Sequence, residues 1–135
     1  MALPNGSGGY QVNSGNLTEA VLSVQTIPTT LTGDTTLTAA QVASGLVVCK
    51  KASDATLTVT LPTAALLDAG ITSAKVGSSF ELTICNDNNS GASSTVPVTT
   101  GTGITVVGSV TVPRHGAYTY RFVKTGDAAY SAFLK

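Results

Sequence analysis

Charge is what this sequence has least of. Seven basic and seven acidic residues make up 10% of 135, against about 25% in ordinary soluble proteins. The longest basic run is Lys50-Lys51. A nucleic-acid binder needs clustered Lys and Arg to displace counterions, so that role is excluded. No apolar stretch approaches the length of a membrane span, which excludes a membrane partner of that kind. The opening "MALPNGSGGYQVNSGN" has neither a basic region nor an apolar core, so it is not a signal peptide, and the chain is expected to stay where it was made. There is no Trp, and one His, His115. The two cysteines, Cys49 and Cys85, lie inside apolar strand patterns and read as buried free thiols. A disulfide is the alternative if their strands are neighbours, disfavoured without export. Two cysteines and one distant His lack the ligands and spacing of a metal site.

Thr, Ser, Val, Ala and Gly fill the space that charges leave. Hydrophobic residues are 42% of the chain, and its length suits one domain with a core of its own. Thr and Val are β-branched and favour pleated strands. A surface of hydroxyls repels itself weakly, which suits a protein held in an assembly.

Along the chain, residues 1–16 are Gly, Ser and Asn with little to bury, and read as an extended arm. Its apolar handles are Leu3, Pro4, Tyr10 and Val12. "LTEAVLSVQTIPTTLT" leans to strand, ended by Pro28. In "TLTAAQVASG", Thr38 with Gln41 predicts a capping box, and Gly45 a left-handed C-terminal residue. "LVVCKK" and "ATLTVTLP" predict two strands joined by "ASD", the second with Leu57, Val59 and Leu61 on one face. "TAALLDAG" predicts a second short helix, Thr63 its N-cap and Gly70 its C-cap. "KVGSSFELTIC" is a strand with Phe80, Leu82 and Ile84 on one face. "STVPVTT" is a strand whose Pro97 suggests an edge or irregular position. "ITVVG" and "SVTVP" are short strands around Gly108. "PRHG" is a turn in which Pro113 sets φ and Gly116 is free to take positive φ. "AYTYRFVK" alternates, and "AYSAFLK" closes the chain. Together these predict an all-β domain over residues 17–135: a single β-sandwich or jelly roll of about eight short strands with two helical turns. No internal repeat suggests a solenoid.

Candidate chemistry is sparse. A catalytic His needs an orienting carboxylate and a nucleophile, and no pattern supplies them to His115. Asp34, Asp54, Asp68, Asp87 and Asp127 mostly fall in loops or at helix ends, and Glu19 and Glu81 are isolated. "NDNNSGASS" lacks the spaced acids of a calcium loop and reads as a plain surface loop. Gly101 and Gly103 precede no helix and no P-loop Lys. Tyr118, Tyr120 and Phe122 are either one buried strand face or a stacking platform for sugar or single-stranded nucleic acid. No catalytic residue, metal or cofactor is expected, and the protein reads as a non-enzyme.

The stretch "ATLTVTLPTAALLDAGITSAKVGSSFELTICND", followed by "VTTGTGITVVGSVTVPRHGAYTYRFVKTGDAAYSAFLK", resembles small structural proteins of tailed phages, mainly cyanobacterial and aquatic ones. The resemblance spans roughly residues 34–135; the first 33 do not carry it. It implies a capsid decoration or cement protein on the outside of the major capsid protein shell, or a domain of a head or tail fibre. A homotrimer on the virion surface, assembled in the host cytoplasm, is the expected form. The arm, with Leu3, Pro4, Tyr10 and Val12, would contact a capsid or sister subunit. The alternative role is a receptor- or glycan-binding module, motivated by Tyr118 and Tyr120.

Overall fold

Alternating apolar and hydroxyl side chains produce strands through most of this chain, and two capped segments produce helices. The computed structural model describes residues 24–52, 55–88, 91 and 94–135; the expected arm, with Leu3, Pro4, Tyr10 and Val12, lies outside them. The strands are β1 (Thr29–Leu31), β2 (Thr35–Thr36), β3 (Leu46–Cys49), β4 (Val59–Thr60), β5 (Ser79–Asn86), β6 (Val96–Thr99), β7 (Ile104–Val107), β8 (Thr111–Val112), β9 (Ala117–Gly126) and β10 (Ala129–Leu134). The helices are α1 (Ala39–Ala43) and α2 (Ala64–Gly70).

Two sheets form, ordered β1-β3-β5-β9-β10-β7 and β2-β4-β6-β8. From β1 to β8, each successive strand enters the other sheet. The ladders β1–β3, β3–β5, β2–β4 and β4–β6 are all parallel. The first six strands therefore wind as three stacked coils, one strand per sheet in each. Equivalent positions stack: Leu31 on Cys49 on Asn86, and Thr36 on Thr60 on Thr99. The winding then closes. β9 pairs antiparallel with β5, β10 turns back on β9, and β7 adds parallel to β10. β8 pairs antiparallel with β6.

The expected class holds at the coarser level: the described residues are mostly β, 42% of them in strands, with two helices and more than one sheet. The pairing differs from a jelly roll, which is antiparallel throughout. It also corrects the absence of a solenoid-like element. The coils hide in the sequence because they are unequal: Thr29 meets Val47 and Val47 meets Ile84, so the second coil is about twice the first. One repeat is visible once the register is known. "TLTAAQVASG" (36–45) and "TLPTAALLDAG" (60–70) share one plan: paired Thr36 and Thr60, buried Leu37 and Leu61, and buried Val42 and Leu67 inside the helices. Pro62 is the single insertion.

The helix starts are as the caps predict. Thr38 accepts from the Gln41 N–H while the Gln41 side chain accepts from the Thr38 N–H, a complete capping box. Thr63 accepts from the Leu66 N–H. Gly45 takes the left-handed φ of 84°. Gly70 does not: it is the last helical residue, and Ile71 is the cap. Its lack of a side chain serves a different end, because a Cβ there would collide with the Ala39 Cβ of α1. Close helix approach, not chain reversal, requires Gly70.

Two other expectations change. Residues 24–28 have no regular structure, and the strand begins after Pro28 rather than before it; residues 17–23 lie outside the described set. β3 and β4, on either side of "ASD", sit in different sheets. Pro97 is not at an edge, because β6 lies between β4 and β8; each ladder there is only two registered pairs long.

Buried side chains of both sheets and both helices form one cluster, with Tyr120, Phe122, Tyr130 and Leu67 among the largest. Phe80 stacks on Phe122 with centroids 5.1 Å apart. Alternation along β9 delivers Tyr120 and Phe122 inward and Arg121 outward.

Candidate functional site

Because successive strand residues point to opposite faces, the residues between the core positions of the six-stranded sheet form its outer face. Register aligns them in rows. Thr30, Val48, Cys85 and Ala117 cross four strands. Glu81, Arg121, Phe133 and Val107 cross another four, and Ser79, Val123, Ser131 and Thr105 lie beside them. The face is short side chains, hydroxyls and isolated apolar groups.

Its one acid is shared by two bases. Glu81 Oε1 accepts from Arg121 Nη2 at 2.7 Å, Arg121 Nε at 3.2 Å and Lys135 Nζ at 2.8 Å. Lys135, then Arg121, hold the Glu81 carboxyl below its usual range, against partial desolvation. Exposed ion pairs of this kind contribute little to stability. Their consequence is electrostatic: the face presents no unpaired acid.

At one end of this face lies a depression of about 300 Å³ lined by Cys85, Asn86, Asp87, His115, Gly116 and Ala117. The fold thus brings the imidazole of His115 to a thiol and a carboxylate, Cys85 and Asp87, that stand together far earlier in the sequence. They do not form a catalytic relay. No hydrogen bond joins Cys85 to His115 among the described residues, and burial pushes the Cys85 thiol up, away from the reactive thiolate. Asp87 Oδ2 accepts from Lys50 Nζ at 2.8 Å. That bond and the Lys50 charge chiefly hold the Asp87 carboxyl down, and His115 adds to it. No group of three His, Cys, Asp or Glu among the described residues could hold a metal.

The turn beneath corrects two expectations. His115, not Gly116, takes the positive φ, at 55°. Gly116 is needed for space, since a Cβ there would lie 2.8 Å from Pro113 Cγ. The "NDNNSGASS" segment is not a plain surface loop either. Asn86 and Asn88 are 2% and 0% exposed. Asn86 Nδ2 donates to the carbonyls of Ser94, Val112 and Pro113 at 2.9, 3.3 and 3.1 Å. Asn86 Oδ1 accepts from the Asn88 N–H, and Asn88 Oδ1 accepts from the Lys51 N–H. The signal was present: Leu82, Ile84 and Asn86 continue one alternation into the core.

The cysteines are both free. Their strands are neighbours, but Cys85 registers with Val48 and Cys49 with Asn86, so the thiols point to opposite faces. Burial, with the Cys85 charge secondary, pushes Cys49 up to about 12.

Two other carboxylates, Asp34 and Asp68, serve the frame. Asp34 Oδ1 accepts from the Thr58 N–H at 2.9 Å, and Asp68 holds Lys124 and Tyr130. Tyr120 and Phe122 lie in the core, Tyr120 with its hydroxyl on the Ser109 carbonyl at 2.9 Å, and Tyr118 is half-buried against it, so two of the three rings are closed to stacking. Gly101 abuts the Pro62 carbonyl, where a Cβ would collide with backbone. No described helix is long and apolar enough to cross a membrane. Compared with family models, curated proteins and solved structures, the chain matches none.

Proposed function

We propose that this chain is a virion structural protein, a capsid decoration or cement protein that binds the outside of the major capsid protein shell and stabilises it. One observation carries the reading: the outer face of the six-stranded sheet, whose acid is shared by its two bases and whose remaining surface is Thr, Ser, Val, Leu and Phe. Little desolvation opposes covering such a face. The resemblance of residues 34–135 to phage structural proteins supports the same role, and the protein acts as a binder rather than an enzyme. Binding only the assembled shell stabilises it through mass action, and a homo-oligomer engages several shell subunits at once, so each contact can be weak. The glycan-binding alternative drew on Tyr118 and Tyr120; with Tyr120 in the core, no observation favours it. The test is mass spectrometry and cryo-electron microscopy of purified virions of the encoding phage. The chain is expected in regular copies on the shell exterior, and virions without it would end the proposal.

A further inference from the structure

We propose that the edge of β7, unpaired among the described residues, is a self-association site, where the protein binds a second copy of itself across a twofold axis. This holds or fails independently of the virion reading. β7 is the outermost strand of the six-stranded sheet. Edge strands carry unpaired N–H and C=O groups, and soluble proteins block them with Lys, Pro or bulges. β7 has none of these. Its sequence is Ile-Thr-Val-Val, and no charged residue lies between Asp87 and Arg114. Beside it is an apolar cluster: Val107 is 49% exposed, and its register partner Phe133 is 43% exposed.

Main-chain geometry and charge name the occupant. The Tyr130 N–H donates to the Gly103 carbonyl at 2.9 Å. In a parallel ladder alternate residues face the neighbour, so Thr105 and Val107 turn their amides to β10 and Val106 turns its N–H and C=O to the free side. A twofold axis through Val106 lets two β7 strands pair antiparallel, each Val106 N–H on the other Val106 carbonyl. Val107 then packs across from Thr105 of the partner subunit, a β-branched pair suited to a ladder. A twofold contact sets a surface against itself, so any net charge would repel its own copy. This edge strand has none, and the two cations of the same face, Arg121 and Lys135, are bound to Glu81. A charged partner has nothing here to recognise.

The contact is small, so a dissociation constant of about 10 to 100 μM is expected. Sedimentation velocity of the full chain up to about 0.3 mM, well above that range, measures it. The wild type should pass from monomer to dimer. Val107→Lys, which sets two cations together at the axis, should weaken dimerisation about tenfold or more. Thr105→Lys carries the same test if V107K does not fold. Val76→Lys, at a 68% exposed site elsewhere, should change nothing. A wild type that stays monomeric, a trimer, or a dimer indifferent to V107K and T105K would overturn the site; a trimer would leave the proposed function standing.

Discussion

The Tyr130 hydroxyl donates to Asp68 Oδ1 at 2.7 Å. The same oxygen accepts from Lys124 Nζ at 2.6 Å, and Asp68 Oδ2 accepts from the Ala128 N–H at 2.9 Å. One carboxylate at the end of α2 thereby fastens the helix to the β9–β10 hairpin, the strands that close the coiled part of the fold.

These bonds make stability depend on pH. Lys124 first, then Tyr130 and the Ala128 N–H, hold the Asp68 carboxyl down to about 2, from 3.8. The folded state keeps Asp68 ionised where the unfolded chain takes up a proton. Its contribution is complete above pH 3.8 and is lost as pH falls towards about 2. Asp68→Asn should lower the melting temperature at neutral pH, and its curve should fall less steeply than the wild type's across that window. Calorimetry at several pH values measures both; parallel curves would refute the assignment.

Gly70→Ala should destabilise by about 1 to 3 kcal/mol, because the new methyl overpacks the contact with Ala39. Ala39→Gly alone should cost up to about 1 kcal/mol in helix propensity. Combined, the two should be less harmful than their sum, by about 1 kcal/mol. Urea unfolding of the four proteins closes the cycle, and simple additivity would show that helix contact is not what requires Gly70.

Asn86→Ala strips the donor from three carbonyls that join β5 to the approach to β6 and to the end of β8. An unsatisfied buried group costs about 1 to 3 kcal/mol, so a loss of about 2 to 3 kcal/mol is expected in chemical denaturation. A loss no larger than that of an average surface substitution would mean that water replaces the amide.

His115→Gly should stabilise the turn by up to about 1 kcal/mol, since the left-handed region costs a side-chain residue about that much. Gly116→Ala should destabilise it through the Pro113 contact. Thermal melts of both variants decide the matter, and the reverse order would return the special position to Gly116.

Local chemistry was legible wherever it depended on near neighbours. Thr38 with Gln41, and Thr63 with Leu66, announce helix starts because a cap is completed within one turn. Gly70 is ambiguous in sequence, because a glycine that ends a helix and one that makes room for another helix look alike there. The candidate face was legible only as a composition poor in charge. That Glu81, Arg121 and Phe133 share a row follows from register, to which no local pattern points. His115 and Cys85 come together because the β5–β9 ladder sets Cys85 opposite Ala117 and Asn86 anchors the Pro113 turn.

By itself the sequence determined which side chains go inward. Leu57, Val59 and Leu61, like Tyr120 and Phe122, are buried as their alternation requires, since one pleat sends neighbours to opposite faces. Only the tertiary structure decided which strands meet. Parallel partners such as Val47 and Ile84 are separated by another strand, a helix and their connections. Their pairing is settled by closure of that long loop and by the shared core, not by any preference of the residues that pair.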